Sequence, residues 1–121
     1  MRVVCGVWQA SVVGALIVQP INHLFDHSYL ADVLQRYPGK FKAMALANPS
    51  LSVTAANSEL SKLHKAGFVG LRFNPGLWPE GETMSNKQGQ AMFEKAGKLG
   101  MVVGFMCFHG IQVCAPCQRW L

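Results

Sequence analysis

The chain has 121 residues, half of them hydrophobic and 14% charged, enough apolar content to bury the core of one domain and too much for a disordered chain. Its 11 basic and 6 acidic residues give a net charge of +5, but Lys62, Lys65, Lys95 and Lys98 fall in the last turns of predicted helices, where the helix dipole favours cations. Without basic side chains clustered beside aromatic platforms the charge does not describe a nucleic-acid surface, and no run reaches the ~20 apolar residues of a membrane span.

The first stretch, 1–18, carries one arginine ahead of apolar residues in the manner of a secretory leader. Gln9 interrupts it, no small-x-small cleavage site follows, and it runs into a strand, so residues 1–13 are read as a start outside the repeat that follows. That repeat begins with Gly14 to Pro20 (GALIVQP), continues with Lys42 to Pro49 (KAMALANP) and returns at Val69 to Pro75 (VGLRFNP). Each run is apolar and ends on an amide side chain followed by proline, which has no N–H to give a neighbouring strand. The spacing predicts buried parallel strands from a repeated βα unit, with Met101 to Cys107 (MVVGFMC) as a fourth strand.

Helices fill the gaps. Between the first two strands, Tyr29, Leu30, Val33, Leu34 and Tyr37 form a stripe, with Asp26 as the expected N-cap and Pro38-Gly39 as the stop. From Thr54 to Ala66, Thr54 is the expected cap, Ala56, Leu60 and Leu63 the stripe, and Gly67 the left-handed stop. Ser85 to Gln88 reads as a capping box for a third helix whose stripe is Ala91, Met92, Ala96 and Leu99 and whose stop is Gly100. Links after helices are nearly absent, and links after strands, such as 74–84, are long, as in enzymes that work at strand C-termini. No Gly-x-Gly-x-x-Gly follows any strand, which favours a barrel over a doubly wound nucleotide fold. The predicted class is therefore α/β, a partial (β/α)8 barrel of about four parallel strands with three intervening helices. A complete barrel takes eight strands and ~250 residues.

At VQPINHLFDHSYLADVLQRYPGKFKAMALANP, LRFNPGLWPEGETMSN and GQAMFEKAGKLGMVVGFMC the chain resembles the amidohydrolase-related ("amidohydrolase 2") TIM-barrel hydrolases, including those of pyrone dicarboxylate and related lactones. The resemblance runs from about Gly14 to Cys107, so that 14–108 is read as strands two to five of that barrel and 109–121 as an irregular tail. It implies hydrolysis of C–O or C–N bonds in small carboxylated, lactone or amide substrates, in many members with a divalent metal such as Zn or Mn. Such metal sites use a His-x-His pair, ligands from later strands and an aspartate at the eighth. This chain has no His-x-His and no aspartate after Asp32, so it is expected to be a truncated chain that binds no metal and is inactive alone.

Arg72 leads the candidate residues. In VGLRFN the apolar Val69, Leu71 and Phe73 are expected on one strand face, with Gly70, Arg72 and Asn74 on the other, towards the barrel interior. A buried guanidinium needs an anion, either an internal carboxylate or the carboxylate of a substrate. Asn22 and His23 lie past the first strand, where family members contact substrate. His23 and His27 are four apart, but the glutamate of a His-Glu-x-x-His zinc helix is missing. Gln19, Asn48 and Asn74 at the strand ends are loop-fixing hydrogen bonders or polar ligand contacts. Trp78 is a lid over substrate or a plug beneath its loop.

His109 is a weak metal candidate, and with Cys107, Cys114 and Cys117 it leaves an adventitious zinc site open. These cysteines and Cys5 are too few and too uneven for a disulfide scaffold, so a cytoplasmic setting is expected, with an organelle as the other option. The expected partner is a small-molecule substrate, not nucleic acid or membrane. The two open sheet edges of a half-barrel also predict self-association or pairing with a full-length relative.

Overall fold

A computed structural model of the chain describes residues 12–106. Its elements alternate: β1 (Ala15–Val18), a 3-10 turn (Ile21–His23), α1 (Ser28–Arg36), β2 (Phe41–Leu46), α2 (Val53–Lys65), β3 (Phe68–Phe73), a second 3-10 turn (Pro75–Leu77), α3 (Lys87–Lys98) and β4 (Val102–Phe105). All neighbouring strands are parallel and lie in the order β1-β2-β3-β4. A doubly wound sheet reverses its order at a switch point, whereas this one advances one strand per helix, as a barrel wall does. The four strands and three helices form a half-barrel.

The core lies between sheet and helices. Ala43 and Ala45 of β2, and Ala47 just after it, turn their small side chains to the helices, leaving room for Leu30 of α1 and for Ala56, Leu60 and Leu63 of α2. Beside them Leu71 and Phe73 of β3 meet Met92 and Ala96 of α3. Burying each large side chain contributes about 1.5–3 kcal/mol, so this layer dominates the stability. The stripes expected for α2 and α3 supply these contacts. In α1 only Leu30 is fully buried, and Tyr29 and Tyr37 at the ends of the predicted stripe are mostly exposed because the helix is one short stretch lying at the margin of the sheet.

The structure corrects five local readings. The first and fourth strands are not buried: Leu16, Val18, Val102 and Phe105 are exposed, because among the described residues each outer strand has a neighbour on one side only. Between β2 and β3 the register slips at Ala43/Met44, so that Phe68 pairs with Ala43 and Gly70 with Met44 while Val69 is passed over. Phe68, not Val69, therefore joins the core with Leu71 and Phe73. Helix α2 is capped by Ser52, whose hydroxyl accepts from the Ala55 N–H, and not by Thr54. Helix α3 is capped by Asn86, whose Oδ1 accepts from the Gly89 N–H, in place of the predicted Ser85 capping box, and α1 starts at Ser28 with His27 at the cap position in place of Asp26. Gly67 and Gly100 do take left-handed angles, φ +101° and +69°, Gly67 immediately before β3 and Gly100 one residue short of β4.

Candidate functional site

The face of the sheet turned away from the helices is set by strand pairing. Val18, Met44, Gly70 and Val102 stand in one row across the four strands, and Leu46, Arg72 and Gly104 in the next row towards the strand ends. Two glycines in this face make room for one methionine. A Cβ on Gly70 would stand 2.8 Å from Met44 Cγ, and one on Gly104 3.0 Å from Met44 Cε, so Met44 lies across β3 and β4 as a floor. Arg72 rises beside it.

The arginine is held, but no carboxylate among the described residues neutralises it. Its Nη2 donates to the Gln19 backbone carbonyl at 2.9 Å, Nη1 lies 3.5 Å from Met106 Sδ, and Nε is buried without a hydrogen-bond partner among the described residues. The ion pairs among the described residues, Arg36–Asp32 and Lys62–Glu59, are surface pairs along single helices. The internal carboxylate partner is thus not found among the described residues.

The amides at the strand ends hold loops. Gln19 is 2% exposed; its Nε2 donates to the Leu24 and Asp26 carbonyls at 3.1 and 2.7 Å, folding the segment after β1 back on itself. Asn48 Oδ1 accepts from Ser50 N–H, and Asn74 Oδ1 from Gly76 N–H, each at 3.0 Å, fixing the turns their prolines begin. Asn22 and His23 are exposed on the first 3-10 turn, where the His23 ring stacks on Tyr29, and no hydrogen bond joins them to Arg72. Trp78 is buried and stacked on Phe73 with centroids 5.8 Å apart, on the helix side of the sheet. Of its two readings it occupies the position of the plug.

His27 has a part that its spacing from His23 did not suggest. The two histidines belong to different elements, and His27 is buried with its ring edge-on to Phe68 and its Nε2 accepting from Leu46 N–H at 3.0 Å. Burial pushes its pKa below the ordinary 6.5, against the opposing pull of Glu59, the Phe25 carbonyl and Asp26. Its Nδ1 is buried with no hydrogen-bond partner among the described residues. The Asp26 carboxylate is held below the usual 3.8 by the Ser28 side chain and N–H. A cavity of about 340 Å³ opens beside His27, between β2 and α2, and does not include Arg72. The sequence signal for His27 was its place at a helix start, following an aspartate that already supplies the local turn.

Among the described residues no group of three or more His, Cys, Asp or Glu side chains is placed to hold a metal ion, so these residues do not fit the divalent metal of the resemblance. His109, Cys107, Cys114, Cys117 and Cys5 lie outside the described residues, as do the tail 109–121 and most of the start. No helix among the described residues is long and apolar enough to cross a membrane.

Comparison with known proteins follows the same lines. The model of the amidohydrolase family matches residues 7–116, beyond both ends of the sequence-level resemblance. Among solved structures, a probable 2-pyrone-4,6-dicarboxylic acid hydrolase from Acinetobacter baumannii with citric acid bound superposes with a TM-score of 0.73 at 19% identity, covering 93% of this chain and 40% of that one. A protein described as a 2-pyrone-4,6-dicarboxylic acid hydrolase from Pseudomonas putida gives 0.61 at 20% identity, covering 84% and 37%. The chain thus spans about two fifths of the length of these barrels. No curated protein matches the chain.

Proposed function

We propose that this chain, which belongs to the amidohydrolase family, binds small carboxylated or lactone substrates of hydrolases that act on C–O or C–N bonds, at the carboxyl-terminal ends of its strands, with Arg72 clamping an anionic group. The observation that carries this reading is the Arg72 guanidinium: it stands on the inner face, one amine is fixed by the Gln19 carbonyl, and its buried Nε lacks a partner. An arginine in that state presents a planar donor fork to a carboxylate, and no carboxylate among the described residues competes for it. The similar barrel from A. baumannii carries citric acid, a ligand of the same chemical class.

Binding is the activity proposed for this chain by itself. Hydrolysis needs a base placed to take a proton from the attacking water, and among the described residues neither a metal-holding group nor a carboxylate at the strand ends stands beside Arg72. Isophthalate, a planar 1,3-dicarboxylate, is a suitable probe. Calorimetric or NMR titration should show Arg72→Ala weakening its binding by about 2 kcal/mol, the scale of a charge-assisted hydrogen bond. Equal affinity in the two proteins would discard the clamp. Hydrolase assays on lactone and dicarboxylate substrates, with Zn²⁺ or Mn²⁺ added, should show no turnover by this chain alone.

A second reading, a non-catalytic association module, is favoured by a separate observation: on the same inner face Leu16, Val18 and Val102 are 54%, 38% and 66% exposed. Apolar side chains beside strand edges that no described residue pairs with suit association with a second copy or a full-length relative.

A further inference from the structure

Three hydrogen bonds and one strand pairing connect a histidine on the helix side of the sheet to the arginine on its inner face. His27 Nε2 accepts from the Leu46 N–H, and Leu46 is the residue that pairs with Arg72 in the ladder. One residue earlier, the Asp26 carbonyl accepts from Gln19 Nε2, which also holds the Leu24 carbonyl. Gln19 in turn offers its backbone carbonyl to Arg72 Nη2 at 2.9 Å, while its N–H donates to the Met44 carbonyl at 3.0 Å and keeps it aligned with β2. The path closes into a ring: Arg72, Gln19, the Asp26–His27 segment, Leu46, and across the ladder to Arg72. Resting on the reading of Arg72 as an anion clamp, we propose that Gln19 and His27 are positioning residues for Arg72, and that a proton on His27 opens this ring and loosens the aim of the guanidinium.

The acceptor is the weak point of the ring. Neutral imidazole accepts at one nitrogen, but imidazolium donates at both, so a proton on Nε2 would face the Leu46 N–H donor to donor. The buried N–H then loses its partner, and a cation appears at the start of α1, where the helix dipole opposes it. Movement of the segment away from β2 relieves both, and takes the Asp26 carbonyl from Gln19. The charged groups facing His27 are Asp26 on its own segment and Glu59 on α2; from β2 and β3 the ring meets Leu46 and Phe68, neither of which titrates. The two carboxylates favour the proton and burial opposes it more strongly. A proton has a route inward, because the cavity beside His27 is also lined by Glu59 and Lys62, whose side chains are 43% and 74% exposed.

The test is isophthalate binding by the full chain between about pH 8 and about pH 5.5, a range over which histidine changes charge and the probe's carboxylates stay largely ionised. Wild type should lose about tenfold in affinity on acidification, the equivalent of one hydrogen bond's worth of positioning. His27→Gln keeps an acceptor at similar reach without titrating, and its affinity should be flat with pH. In wild type the Leu46 amide should lose exchange protection, and the Arg72 Nε–H resonance should shift, with the same midpoint as the His27 ring signals. That readout does not depend on the variant folding. Equal acid loss in wild type and His27→Gln, or Leu46 and Arg72 signals that ignore the His27 titration, would overturn the positioning role. Undiminished binding by Arg72→Ala at about pH 8 would instead overturn the clamp itself.

Discussion

Whether a polar side chain serves structure or ligand is decided by where its hydrogen bonds go. Gln19, Asn48 and Asn74 each direct side-chain bonds to nearby backbone, which makes them fasteners of loops. Arg72 directs one bond to backbone and leaves Nε over. His27 is a fastener of another kind, since its bond exists only while the ring is neutral. Its folded pKa lies below the ordinary 6.5, so the unfolded chain binds the proton first as pH falls. Its contribution is fully present above 6.5 and is lost as pH drops from there through the lower folded value. Urea melts across this range should show stability declining on the acid side, by up to about 1.4 kcal/mol for each unit of pKa depression, and a smaller decline in His27→Gln. An acid profile the same for both proteins would show that other groups govern it.

Helix ends show how sequence patterns compete at short range. Ser52 and Thr54 are both capping residues, but Ser52 has the extended angles, φ −64° and ψ 159°, that aim its hydroxyl at Ala55 N–H, and Thr54 is already inside the helix. In α3 two glycines with the same propensity face different surroundings. Gly97 is exposed with nothing near its missing side chain, so Gly97→Ala should raise stability by about 0.5–1 kcal/mol. Gly89 is buried in the first turn, where a Cβ would run into the Met84 carbonyl oxygen. Backbone cannot yield as a flexible side chain can, so Gly89→Ala should cost about 1–3 kcal/mol despite the better propensity. Denaturant midpoints of the two variants should move in opposite directions, and a shift of both the same way would show that propensity alone governs α3.

At the scale of the whole molecule, the described sheet presents a mostly apolar inner face with two charged residues, Lys42 opposite Leu16 and Arg72 near the strand ends. Met44 is covered because Gly70 and Gly104 let it lie flat, while Leu16, Val18 and Val102 remain exposed among the described residues. Removing that surface from water is worth about 25 cal/mol per Å², which favours association through this face. Light scattering during size-exclusion chromatography should show mass rising with concentration in wild type, and Leu16→Lys with Val102→Lys should hold the chain monomeric. A concentration-independent monomer in wild type would remove the association reading.

The sequence by itself determined the order of strands and helices, the left-handed stops at Gly67 and Gly100, the stripes of α2 and α3, the inward face of Arg72 and the family. These are local signals: period, punctuation and composition repeat wherever the same backbone geometry does. Only the tertiary structure decided that β1 and β4 are exposed, that Val69 is passed over in favour of Phe68, that Trp78 lies on the helix side, and that Gln19 and His27 meet Arg72 and Leu46. Those outcomes depend on which distant segment lies alongside, and Arg72 is 53 positions from the Gln19 carbonyl that holds it, a separation no local pattern spans.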